Sequence, residues 1–93
     1  SLDLAIKYLK NSGLTIACAS EKGGQNYFTC NLTGPLAIVM GAEDTGISTA
    51  LLKYADVTAK IPLMGKIGSL NVSVAAGILL FETVKQRLET PNS

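Results

Sequence analysis

A chain of 93 residues, 47% hydrophobic and with a formal charge of +1, makes one small domain with a modest core. Seven lysines and a single arginine, Arg87, balanced by seven acids, argue against a self-sufficient nucleic-acid binder, though not against a catalytic module whose basic surface lies elsewhere. The absence of histidine excludes histidine general bases and most zinc sites, and no metal is expected.

Leu2, Ala5, Ile6, Leu9 and Lys10 fit a short amphipathic helix, ended by Asn11, Ser12 and Gly13. Residues 14–19 read as a strand covered on both faces, because apolar and polar residues do not alternate there. Residues 20–34 form a connection rich in Gly, Asn and Thr, with Tyr27 and Phe28 as its anchor on the core. Residues 36–40 are the clearest strand. A turn over residues 41–46 and a short helix over residues 48–54 follow, with Leu51 and Leu52 turned inward. Residues 56–61 form a third strand, closed by Pro62.

A glycine-punctuated loop then leads into a long helix, with Ser69 as its N-cap and Asn71 in its first turn. Leu70, Val74, Ile78, Phe81, Val84 and Leu88 follow at helical spacing. Val72, Ala76, Leu79 and Leu80 fill the other side, which predicts burial nearly all round for the first half. Gly77 in mid-helix suggests a neighbour packed too close for a side chain. Glu82, Lys85, Arg87 and Glu89 make a charged outer face, and residues 89–93 a flexible tail. This order is that of a parallel α/β sheet, and three strands are few for one.

Ligands of open α/β sheets bind beyond the carboxyl ends of the strands. Those ends are Ala19-Ser20, Met40-Gly41 and Ile61-Pro62, each leading into a glycine-containing loop. Apolar walls from Ile61, Met64 and Leu70 would suit a flat, mostly uncharged group such as adenine. A purely structural set of turns reads equally well. Residues 41–48 nearly spell a phosphate-binding loop, but Ile47 replaces its lysine, and Glu43 and Asp44 would repel a polyphosphate. Ser69 and Asn71 sit at the mouth of this pocket. Capping explains Ser69, whereas the amide of Asn71 both donates and accepts. Cys18 and Cys30 are lone thiols of a reducing compartment, and no run is long and apolar enough to span a membrane.

At these residues the chain resembles the SpoU/TrmH family of SPOUT methyltransferases, which methylate a ribose 2′-hydroxyl of tRNA or rRNA with S-adenosylmethionine. Residues 38–47, IVMGAEDTGI, look like the family's second motif. Residues 61–65, IPLMG, with residues 69–75, SLNVSVA, look like its third. The likeness runs from about Leu14 to Arg87. It implies a parallel α/β fold whose C-terminal part forms a deep trefoil knot, which general topology rules do not anticipate. It implies that Ala19, Gly41, Ile61, Met64 and Leu70 hold the cofactor, and that Glu43, Ser69 and Asn71 surround the reaction centre. It also implies an RNA substrate, a cytoplasmic location and a homodimer packed through the last helix. The family's first motif, with an asparagine and an arginine, is not matched and would precede residue 1. The resemblance therefore implies that residues 1–93 are the C-terminal part of one methyltransferase domain without its N-terminal strands. The rival expectation is a non-catalytic module that binds the cofactor or only dimerises.

Overall fold

The computed structural model describes residues 1–20, 23–41, 47–62 and 71–90. Its elements are α1 (Leu2–Asn11), β1 (Thr15–Ser20), β2 (Gln25–Asn26), a 3-10 turn (Tyr27–Thr29), β3 (Leu36–Val39), α2 (Thr49–Leu52), β4 (Val57–Lys60) and α3 (Val72–Glu89). All strand pairs are parallel, in the order β2-β4-β1-β3. The α/β parallel sheet expected from the sequence is present. The segments on which the expected knot would lie are outside the described residues.

Helix α1 is short and capped by its first residue. The Ser1 hydroxyl accepts from the Leu4 N–H at 3.4 Å, and Asp3 and Lys10 complement the helix dipole at the two ends. Gly13, at φ +97°, turns the chain into β1. Of the residues expected on the buried face, Ile6 is buried and Leu9 half-buried, whereas Leu2 faces solvent.

β1 is central and buried on both sides. Along the strands, successive side chains go to opposite faces. Ala17, Ala19, Leu36, Ile38, Met40, Val57, Ala59 and Ile61 join Leu79 of α3, with Cys30 and Leu32. Ile16, Cys18, Ala37 and Val39 join Ile6 and Leu9 of α1 and Leu51 and Leu52 of α2. The missing polar alternation in residues 14–19 thus reports two covered faces. Burial pushes both thiols up, and the charge on Asp56 adds to this at Cys18, so neither is ionised at neutral pH.

Asp56 fastens the amino edge of the sheet. Its Oδ2 accepts from the Ile16 N–H at 2.8 Å, its own N–H donates to the Ile16 carbonyl at 2.8 Å, and its Oδ1 receives Lys10 Nζ at 2.6 Å. Lys10 Nζ also donates to the Tyr54 carbonyl at 3.1 Å. One ion pair therefore ties the end of α1 to the starts of β1 and β4.

The connection over residues 20–34 holds a short fourth strand, β2, that the sequence reading did not expect. Gly24 makes it possible. It sits at φ +85° against β4, where an added Cβ would collide with the Thr58 carbonyl oxygen and come within 2.7 Å of its Cγ2. Tyr27 packs on the core as expected, but Phe28 does not and is 53% exposed.

Helix α3 departs most from expectation. Asn71 is its N-cap, with Oδ1 accepting from the Ser73 N–H at 2.8 Å, and Ser69 lies outside the described residues. The first half is not buried all round: among the described residues of α3 only Leu79, Glu82 and Thr83 are buried. Val74, Phe81, Val84 and Leu88 are exposed, the last at 82%, and Gly77 faces open space. Hydrophobic spacing located a helical stripe, but that stripe faces away from the sheet. Glu82, expected outside, is only 8% exposed. Its Oε2 accepts from Gln86 Nε2 at 2.8 Å. Gln86 also receives the Leu32 N–H at 2.8 Å and donates to the Cys30 carbonyl at 2.9 Å. Arg87 donates to the Thr33 and Gly34 carbonyls at 3.2 and 2.9 Å. The expected i,i+4 pair, Lys85 with Glu89, forms at 3.5 Å on the surface. The helix runs through Glu89, with Thr90 as its C-cap, so Glu89 is not in the tail expected from it onward, and residues 91–93 lie outside the described residues.

Candidate active site

Parallel strands end on one edge, and here three adjacent ends matter. Cys18 pairs with Val39, and Ser20 with Lys60. Continuing the ladder sets Met40 beside Ala19 and Gly41 beside Ser20, with Ile61 following Lys60 on the other side. Strands lie about 4.8 Å apart, so the backbones at Gly41 and Ile61 flank the end of β1 at a separation of about 10 Å. Ala19, Met40 and Ile61 share the α3 face and pack partly buried on the core, forming an apolar floor. Gly41 is half-buried beside them.

Helix α3 brings its N-terminus to the same edge. Arg87 grips Thr33 and Gly34, just before β3 begins. Leu36, Ile38 and Met40 of the β3 segment and Ala76, Leu80, Thr83 and Arg87 of α3 line one open groove of about 360 Å³. With Arg87 fixed at the amino end of β3, helix and strand run antiparallel. The sixteen residues back to Asn71 span about 24 Å, longer than the strand, so Asn71 reaches the carboxyl edge. A helix N-terminus there presents N–H groups and partial positive charge toward the strand ends.

Ala19, Gly41, Ile61 and Asn71 are thus placed at one edge. Glu43, Met64, Ser69 and Leu70 fall outside the described residues. The phosphate-loop reading gains nothing from α2: it is a four-residue helix whose N-terminus is already capped by Ser48, with the hydroxyl accepting from the Leu51 N–H at 3.3 Å. Gln86 was missed by sequence reasoning. A glutamine in the last turns of a helix carries no signal, since its role depends on a loop 54 residues earlier. Among the described residues no group of three or more His, Cys, Asp or Glu side chains is placed to hold a metal. No helix of the described residues is long and apolar enough to cross a membrane.

The model of the SpoU rRNA Methylase family matches residues 1–81. A 23S rRNA (guanosine-2′-O-)-methyltransferase of Burkholderia sp. is 43% identical over 89 residues, 96% of this chain and 36% of that protein. A tRNA (guanosine(18)-2′-O)-methyltransferase of Thermus thermophilus is 42% identical over 86 residues, 91% of this chain and 44% of that protein. The crystal structure of an AdoMet-bound rRNA methyltransferase from Sinorhizobium meliloti superposes with a TM-score of 0.83 at 30% identity, covering 89% of this chain and 32% of that one. The chain therefore spans about a third to under half the length of these three relatives.

Proposed function

Because the chain belongs to the SpoU rRNA Methylase family, we propose that it is the cofactor-binding portion of an S-adenosylmethionine-dependent RNA ribose 2′-O-methyltransferase. The observation that carries the proposal is the convergence of Ala19, Gly41 and Ile61 on one sheet edge, with the capped start of α3 facing them. The residues fit the group. A partly buried apolar floor suits the faces of an adenine, and main-chain groups beyond the last ladder pairs suit its edge.

S-adenosylmethionine, when bound, supplies a methyl on a sulfonium, the electrophile for a ribose 2′-oxygen. The chain's contribution is to hold both partners in line. Backbone at Gly41, Ile61 and Leu70, with Ala19 and Met64 as apolar walls, holds the nucleoside. Asn71 fixes the start of α3 through its Oδ1 and orients the ribose through its amide N–H groups. Ser69 supports the same contact, and Glu43 braces the loop after Gly41. The substrate is tRNA or rRNA, and the reaction needs no metal. The enzyme works in the cytoplasm, a reading supported by two buried free thiols.

The exposed stripe Val74, Phe81, Val84 and Leu88 is covered by a second copy of the chain, and open space at Gly77 lets the two backbones approach. Sedimentation of the chain should show a dimer, and Phe81→Asp a monomer.

Calorimetry with S-adenosylmethionine and with its demethylated product tests the cofactor claim, and the absence of binding to either defeats it. Asn71→Asp keeps the capping oxygen and removes the amide donors. It should leave the melting temperature unchanged and depress methyl transfer by the longest native form of the chain. Unchanged transfer would reduce Asn71 to a cap.

A further inference from the structure

Among the described residues the exposed large apolar side chains fall into three groups. Val74, Leu80, Phe81, Val84 and Leu88 belong to α3, Leu2, Leu4 and Tyr8 to α1, and Phe28 stands apart from both. Its place is set by β2, where Gln25 pairs with Ala59 and Asn26 with Lys60, the last residue of β4. Because β2 runs parallel to β4, the residues after Asn26 continue past the carboxyl edge, level with Ile61. Tyr27 goes to the α3 face, the face that carries Ala19, Met40 and Ile61. Phe28 is therefore delivered to the edge, and beside the face, where the cofactor pocket is proposed.

The turn that presents it is held firmly. The Cys30 N–H donates to the Tyr27 carbonyl at 3.3 Å, and the Thr29 hydroxyl donates to the Asn26 carbonyl at 2.8 Å. The Phe28 ring meets the half-buried Tyr27 ring edge-on, with centroids 5.3 Å apart at 83°. That geometry fixes the ring without covering it. Gly24, whose contact with Thr58 admits no side chain, docks the whole turn on β4. A lone exposed aromatic needs no explanation in itself. One held on a built turn at the reaction edge, next to a strand ending in Lys60, has the form of a stacking platform.

We propose that Phe28 stacks on a nucleobase of the RNA substrate, next to the nucleotide whose ribose enters the site. The proposal rests on the functional reading above. Single-stranded RNA is recognised through unpaired bases laid on aromatic rings, and such a contact tolerates many sequences. It also supplies a grip on RNA that a chain of near-zero net charge cannot obtain from electrostatics alone.

The test uses the unsubstituted chain, Phe28→Ala and Phe28→Trp, with an RNA hairpin carrying 2-aminopurine at successive loop positions. Stacking predicts quenched fluorescence at one position with the unsubstituted chain and with Phe28→Trp. Phe28→Ala should lose that quenching and bind the hairpin about tenfold or more weakly. S-adenosylmethionine affinity and the melting curve should be the same in all three. Equal hairpin affinity and quenching in Phe28→Ala would overturn the proposal, as would a Trp variant that behaves like Ala. Failure of the unsubstituted chain to bind S-adenosylmethionine would instead remove the functional reading beneath it.

Discussion

Replacing Gln86 with alanine tests whether one side chain sutures α3 to the loop that precedes β3. Gln86 serves the Leu32 N–H, the Cys30 carbonyl and the Glu82 carboxyl at 2.8 to 2.9 Å. Leu32 and Cys30 are 1% and 3% exposed, so water cannot readily take over. Each stranded backbone group costs about 1–3 kcal/mol, and two near the lower half of that range give about 3 kcal/mol. A domain of this size holds about 5–14 kcal/mol in all. A loss of about 3 should therefore lower the melting temperature by about 12 °C or more. Urea unfolding of the unsubstituted chain, Gln86→Ala, Glu82→Ala and the double variant reads both the loss and its coupling to Glu82. Because Glu82 and Gln86 share a hydrogen bond, the two losses should not add. A loss under about 1 kcal/mol, or simple additivity, would refute the account of Gln86 as the joint between helix and loop.

Gly24→Ala should cost more than the usual penalty for a positive φ, since backbone at Thr58 must move. Proteolysis should then cut within residues 20–34 while the rest of the sheet resists. Asp56 gives a pH dependence. The Ile16 N–H, and then Lys10, hold its carboxyl below the ordinary value. Its contribution to stability is present above the unfolded pKa near 3.9 and is lost as pH falls through the lower folded value. Between about pH 5 and pH 2, Asp56→Asn should show a shallower fall in urea midpoint than the unsubstituted chain, and parallel curves would contradict this. Phe81→Asp should abolish dimerisation without unfolding the chain, as its side chain is 75% exposed. A monomer in both forms would contradict the proposed interface.

The central strands of the sheet were legible because burial on both faces writes itself as an unbroken apolar run, as in residues 16–19. The order of elements followed from it. The edge was legible as well, because Gly41 and Pro62 punctuate strand ends. β2 was not, since two polar residues, Gln25 and Asn26, carry no periodicity and pair only through a glycine that fits against Thr58. The orientation of α3 was also hidden. Its sequence offers apolar residues on several sides, and the sheet takes the side with Leu79 and Thr83, leaving Phe81 and Leu88 out. Glu82 looked like a surface charge because the glutamine that receives it reads as surface too. The motif residues around the pocket came from the family resemblance. Their individual chemistry comes from placement, as Asn71 shows by turning out to be the cap.

The sheet order has a consequence for how the chain is made. β1 is made before both of its sheet neighbours, β3 and β4, which begin at Leu36 and Val57. At about 5–20 residues per second, the most buried strand waits about 2–9 s between its own synthesis and that of Lys60. During that interval its backbone edges have no intended partner. Nascent chains stopped before residue 57 should therefore be the ones that recruit chaperones or aggregate, and chains extended past α3 should not.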